Sequence, residues 1–249
     1  MGQYLYSDVL NDISDRLNNQ YFVQSHSNEM LRAVKHALRD INIGKIYDDP
    51  QQQDKRPVGY SFQRATYALT YTAGTLGYSL AAVPGLKFVN DVILASSNTI
   101  GFTPSESGSI RRRYARLGRT PDWGIEYSTG VPQIVISYSG STNLTVEYFS
   151  KYLVVNQDGT TLQETVTGEN NETFLIPDQY IDALVDIAAG YLYTQDRNER
   201  TISSNIFLDS GRSTLKLMID AEGQRAKRPV KGFKIRSEWG AYENRADNI

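Results

Sequence analysis

The stretch Phe174-Leu-Ile-Pro177-Asp-Gln-Tyr-Ile181-Asp-Ala-Leu184-Val-Asp-Ile-Ala-Ala-Gly-Tyr-Leu192 decides the fold of this chain. Its apolar residues recur every three or four positions, which places them on one face of a helix. Pro177 fits the first turn of that helix, because the N–H that proline lacks would have no partner there. We therefore predict a buried helix face, and the bundle core residues that it supplies are Ile181, Leu184, Val185, Ala188 and Leu192.

Three other segments have helical periodicity, two of them near the start of the chain. Leu5, Val9, Ile13 and Leu17 repeat every four residues, and Met30, Leu31, Val34, Leu38 and Ile41 follow Ser27, a plausible N-cap. A further pattern runs through Leu208, Gly211, Leu215, Met218 and Glu222. Short one-sided helices need tertiary packing for stability. We predict that residues 1–47 and 176–225 form one small helical bundle.

The chain between residues 58 and 175 changes to the two-residue alternation of β-strands. Strand candidates lie about ten residues apart and are separated by turn signals such as Pro84-Gly85, Ser139-Gly140 and Asp158-Gly159. This spacing is typical of an antiparallel sandwich or barrel. The sequence therefore predicts an α+β fold, with a β-rich insertion at 58–175 in the helical bundle and an extended tail at 226–249.

Composition excludes several kinds of chemistry. The 249 residues include no cysteine, which rules out disulfides, thiolate catalysis and cysteine-based zinc sites. Met1-Gly-Gln-Tyr4 does not resemble a signal peptide, and no apolar run is long enough to span a membrane. No nucleophile elbow or phosphate loop is present. We expect no enzyme activity, cofactor, metal or membrane contact.

Two groups of carboxylates and the two histidines, His26 and His36, are the remaining candidates for chemistry. The first group is Asp8, Asp12 and Asp15, and the second is Asp178, Asp182 and Asp186. Spacing of three or four residues places each group on one helix face. We interpret both as solvated faces and regard a catalytic or metal site as the less favoured alternative. His36 and Asp40 are four residues apart, which is a weak metal signal.

One basic cluster stands out in a chain whose net charge is −2. Five arginines fall within nine residues in a stretch bordered by Gly, Ser and Pro: Arg111, Arg112, Arg113, Arg116 and Arg119. Arginine binds phosphate or carboxylate through two parallel hydrogen bonds, so DNA or an acidic protein could be the partner. We favour contact with protein over contact with DNA. A solvated loop, or salt bridges to either aspartate group in a neighbouring subunit, is the alternative to a site for an external partner.

The order of these elements resembles the head-to-tail adaptor (connector) proteins of tailed bacteriophages. Three segments carry the resemblance: Leu80 to Leu94, a proline-led strand; Leu144 to Val155, followed by Gln157-Asp-Gly159; and Glu172 to Leu184, which enters the C-terminal helix pair. The similarity is one of pattern and order, and the three segments are distributed within residues 60–225.

The resemblance implies a structural virion protein in the neck between capsid portal and tail, with host cytoplasm as its site of assembly. Such adaptors form rings, usually of twelve copies, bind the portal protein and tail or neck proteins, and let genomic double-stranded DNA pass. The family has no catalytic residues to transfer. Its C-terminal extension often reaches into the portal, which assigns portal binding to the tail residues Lys227, Arg228, Lys231, Phe233, Ile235, Trp239 and Tyr242. Repeated around a ring, the arginine cluster would form a basic collar.

Two other functions remain open. The chain could be a different neck component, such as a tail-side stopper or tail-terminator ring protein. Alternatively, the β block could be a carbohydrate-binding module on a helical stalk, with an aromatic platform of Trp123, Tyr127, Tyr138, Tyr148 and Tyr152.

Overall fold

A computed structural model describes residues 4–18, 27–47, 56–75, 77–105, 110, 122–128, 130–138, 140–197 and 202–226. Within these residues there are four α-helices: α1 (Tyr6–Arg16), α2 (Ser27–Ile43), α3 (Ile181–Arg197) and α4 (Ile202–Glu222). They are accompanied by thirteen strands in several sheets. The predicted α+β class is confirmed.

The first of two compact units comprises the described parts of residues 1–64 and 149–226. All four helices contribute to one hydrophobic core, and α1, α2 and α4 each pack against α3. The apolar periodicity explains this, since the residues at intervals of three and four are the buried ones. Residues 58–64 and 149–175, which we had grouped with the β insertion, belong to this unit. The division into bundle, insertion and tail stays a prediction.

Short strands complete the first unit. A three-stranded sheet has the order β11 (Leu162–Gln163), β10 (Val154–Val155), β12 (Thr173–Phe174). A separate two-stranded sheet pairs β1 (Val58–Tyr60) with β13 (Gly223–Arg225) in antiparallel register, with Val58 opposite Arg225. The Ala226 N–H donates to the Pro57 carbonyl at 3.1 Å and extends this pairing by one bond. The sequence interpretation did not predict a strand directly after α4.

Pro177 lies outside the helix whose first turn we assigned to it. It precedes a 3₁₀ turn, Asp178–Tyr180, and α3 begins only at Ile181. The Tyr180 N–H donates to the Pro177 carbonyl at 2.8 Å, which is the tighter hydrogen bond of a 3₁₀ turn. The prediction of proline in the first α-helical turn was therefore wrong by one short turn.

The second unit, residues 65–148 in its described part, is built from two four-stranded sheets. One has the order β2 (Arg64–Tyr71), β9 (Thr142–Ser150), β4 (Leu86–Leu94), β5 (Ser97–Gly101), and β2 and β9 also extend into the first unit. The other has the order β3 (Gly77–Ser79), β8 (Val131–Ser137), β7 (Asp122–Ser128), β6 (Thr103–Pro104). Both sheets contribute to one apolar core. The β6–β7 pair is parallel, an exception to the antiparallel pairing that we predicted.

Candidate functional site

Two of the predicted contact segments fall outside the described residues. They are the arginine cluster, Arg111, Arg112, Arg113, Arg116 and Arg119, and the tail residues Lys227, Arg228, Lys231, Phe233, Ile235, Trp239 and Tyr242. Their roles stay predictions. The described residues do include both aspartate groups, and these define the candidate surface of the first unit.

An open depression lies where α1 meets the turn before α3. Its volume is about 500 Å³, and its lining residues are Tyr4, Asp8, Asn11, Asp12 and Asp178. Asp8 also accepts a hydrogen bond from the Leu5 N–H at 3.2 Å, which ties one of its oxygens to the start of α1. The fold thus brings members of two aspartate groups, more than 160 positions apart in the chain, to one surface. The sequence alone did not predict that they would meet.

Negative charge accumulates at this depression. The pKa of Asp12 is raised by partial burial and by the nearby carboxylates Asp15, Asp182 and Asp8, while a hydrogen bond from Tyr4 acts in the opposite direction. The pKa of Tyr4 is raised chiefly by Asp12, and burial adds to the shift. Carboxylates that disfavour one another's ionisation in this way would be stabilised by a cation of a partner.

The second aspartate group does not form one solvated face. The Asp182 side chain is 61% exposed, whereas that of Asp186 is only 6% exposed. Arg16 joins them, with Nη2 2.9 Å from Asp182 Oδ1 and Nε 3.2 Å from Asp186 Oδ1. The Ser210 hydroxyl donates to Asp186 Oδ2 at 2.6 Å. The solvated-face interpretation is therefore wrong for Asp186, because a cation and a hydroxyl compensate for its burial.

The helix face that we predicted as bundle core lies inside the first unit. The five residues Ile181, Leu184, Val185, Ala188 and Leu192 are all buried there. A second determinant of this packing is Gly211 on α4. A Cβ at that position would lie 2.9 Å from the backbone nitrogen of Ile187, so α3 and α4 are too close for a larger residue. Apolar periodicity alone gives no sign of this close approach.

The histidine candidate has a packing role in the structure. The His36 ring lies 5.5 Å from the ring of Tyr191, whose hydroxyl donates to Asp40 Oδ2 at 2.6 Å. Lys45 Nζ is 3.7 Å from the same Asp40 oxygen. In the part of the chain that the structure describes, no group of three potential ligands is arranged to hold a metal ion. None of the described helices is long and apolar enough to cross a membrane.

The aromatic platform proposed for sugar binding does not form. Trp123 and Tyr148 are 4% and 5% exposed and belong to the core of the second unit. The Trp123 indole N–H donates to the Phe102 carbonyl at 3.1 Å, which directs this group into the unit. Tyr127 is 73% exposed, and Tyr152 belongs to the first unit. The hypothesis failed because strand periodicity does not reveal which aromatic residues face the core.

Comparison with known proteins adds one positive finding. A family model described as SU10 adaptor protein matches residues 4–232, which include the described parts of both units. No curated protein sequence matches the chain.

Proposed function

The chain belongs to the SU10 adaptor protein family, and from this premise we propose that it forms a homo-oligomeric ring beneath the portal of a phage head. Membership makes it a structural phage adaptor and a component of the virion neck that contacts portal and tail proteins. We extend this to a ring of twelve copies that assembles in the host cytoplasm and surrounds the passage of genomic DNA. The family match over residues 4–232 is the observation that supports the proposal, because the matched region includes both the helices and the β-sheets.

We assign portal binding to the tail that follows β13. Basic residues of the tail, Lys227, Arg228 and Lys231, fall within the family match, whereas its apolar residues from Phe233 onward lie beyond it. The β1–β13 pair supports the assignment, since it holds the chain in place up to Ala226. A tail that starts from a fixed point can place aromatic side chains in pockets of a partner, which is the usual source of binding energy at an interface.

Replacing Phe233, Trp239 and Tyr242 together by alanine should weaken binding to the portal ring of the same phage about 100-fold or more, because buried aromatic anchors contribute most of the binding free energy. Affinity is measured by surface plasmon resonance with the full-length chain. The control is Tyr127→Ala, which removes an aromatic residue that is 73% exposed in the second unit and should leave affinity unchanged.

Equal affinity of the triple variant and the wild type would show that the tail does not contact the portal. Failure of the wild type to bind would contradict the adaptor position itself. Binding to a tail-side ring instead would favour the alternative of a stopper or tail-terminator component.

We further propose that the arginine cluster contacts protein rather than DNA. A lumen that held DNA tightly would hinder its ejection, because every copy in the ring would add phosphate contacts. Changing Arg111, Arg112 and Arg113 to serine should therefore reduce assembly of adaptor on portal, as counted by electron microscopy. Normal assembly accompanied by premature loss of packaged DNA would instead identify DNA as the partner.

A further inference from the structure

The outward face of α2 is basic. Arg32, Lys35 and Arg39 are exposed and follow one another at intervals of three and four residues, so they form a stripe along the helix. The opposite face of α2 is buried in the bundle core. Within the described residues none of the three cations forms an ion pair. Glu29 is the one exposed acid on this helix. We call Arg32, Lys35 and Arg39 the basic stripe.

The acidic surface around α1 has the opposite charge in the same compact unit. We call Asp8, Asp12, Asp15 and Asp178 the acidic face; three of them line the 500 Å³ depression, and Asp15 is exposed on the next turn of α1. Both α1 and α2 pack against α3, so the bundle holds the two surfaces in fixed positions relative to each other. A chain with net charge −2 thus separates positive and negative charge onto two surfaces of one rigid core.

We propose that the basic stripe on α2 of one copy docks against the acidic face around α1 of the next copy in the ring. This inference rests on the ring proposed above and names the contact that closes it. A head-to-tail contact requires two different, mutually complementary patches on every subunit, and such contacts generate a ring when the rotation from one copy to the next closes. The chain supplies both patches. Opposite charges across the contact also suppress incorrect pairing of like surfaces.

A second copy explains these surfaces better than DNA does. DNA phosphates would satisfy the basic stripe but would be repelled by the acidic face. An acidic protein of another kind would likewise leave the acidic depression without a partner. A second copy satisfies both surfaces at once and in equal number, since each subunit contributes one of each. The contact is ionic and lies partly in solvent, so assembly should weaken as the salt concentration rises.

Two charge-reversed variants test the pairing. The stripe variant is Arg32→Glu, Lys35→Glu and Arg39→Glu, and the face variant is Asp12→Lys, Asp15→Lys and Asp178→Lys. Asp8 is left unchanged because it caps α1. Assembly on the portal ring is followed by native mass spectrometry, with folding checked by far-UV circular dichroism. The control combines Lys216→Glu with Asp220→Lys, two exposed charges on α4.

Each variant alone should lose the ring, because like charges then meet at every contact. A 1:1 mixture of the two variants should restore a ring in which they alternate, since every contact again joins opposite charges. The control should assemble like the wild type. This recovery on mixing cannot result from misfolding, because two unfolded variants would not rescue each other.

Three results would overturn the pairing. Normal rings from either variant alone would show that the contact between subunits lies elsewhere. The proposal that the protein forms a ring would not be contradicted by that result. Loss of both rings without recovery in the mixture would show that the two surfaces do not meet. Normal assembly combined with loss of binding to a 30-base-pair duplex would assign the stripe to DNA. A wild type that forms no ring on the portal would contradict the proposed function, not only this contact.

Discussion

Replacing Gly59 by alanine should lower the free energy of unfolding of the protein by about 3 kcal/mol, because the added methyl group has no space. A Cβ at Gly59 would lie 2.2 Å from Cγ of Phe149 and 2.7 Å from its Cβ. Phe149 is fully buried, with the Arg64 guanidinium 5.7 Å from its ring centroid. Rotation of the Phe149 ring does not relieve the clash with the Phe149 Cβ, because that atom does not move with the ring. β1 or the end of β9 must therefore shift.

Equilibrium urea unfolding, followed by far-UV circular dichroism, measures this loss. The matched control is Gly140→Ala in the second unit, where the nearest atom is an edge carbon of the Tyr138 ring at 3.2 Å and no backbone atom is among the close neighbours. That substitution should cost less than about 1 kcal/mol. An equal stability of the Gly59→Ala variant and the wild type would mean that β1 does not pack against Phe149 as described.

Replacing Glu172 by alanine should also destabilise the protein by about 3 kcal/mol, because it removes the acceptor of a buried hydrogen-bond network. The Glu172 carboxylate is fully buried and accepts from the Thr167 N–H and hydroxyl, the Gly168 N–H and the Glu169 N–H at 2.8–3.2 Å. The turn formed by residues 167–172 also anchors α1, since the Tyr6 N–H donates to the Glu172 carbonyl at 2.8 Å. Without the carboxylate, several N–H groups of this turn have no protein acceptor.

A conservative variant and a control separate the effects of charge and shape. Burial and the Glu172 charge raise the pKa of Tyr6 to about 12, so Glu172→Gln should lower it, as ultraviolet titration of the tyrosinate would detect. Glu164→Ala removes an exposed ion pair with Lys151 at 2.7 Å and should cost less than about 1 kcal/mol. Glu172→Ala with wild-type stability and an unchanged Tyr6 pKa would show that the carboxylate does not organise this turn.

Apolar periodicity predicted the helices well because their burial is one-sided. Val9, Ile13, Val34 and Leu184 recur at helical intervals, and each is fully buried in the core of the first unit. The α+β class and the main strands followed from the same reasoning at a period of two. The predicted start of α3 was less accurate, since a proline fits both the first turn of an α-helix and the residue before a 3₁₀ turn.

Features that depend on contacts between distant residues could not be predicted. β1 and β13 are three residues each, too short for a recognisable alternation, and their pairing joins residues 58 and 225. The burial of Asp186 depends on Arg16 and Ser210, both on other helices. The acidic depression likewise forms only when α1 meets Asp178. Local patterns gave the residues of this candidate site, but the fold determines which of them meet.

The pairing of β1 with β13 also sets the order in which the chain can complete its structure on the ribosome. Residues 65–148 form a continuous segment, so the second unit has its described strands available once that segment has emerged. Among the described strands β1 pairs with β13, so this sheet cannot form until Arg225 has been synthesised, and α1 has none of its contacts with α3 until residues from 181 onward follow. Contacts of such long sequence separation form late. A nascent adaptor therefore completes its helical core only after β13 has been synthesised, which delays the appearance of a finished docking surface until that point.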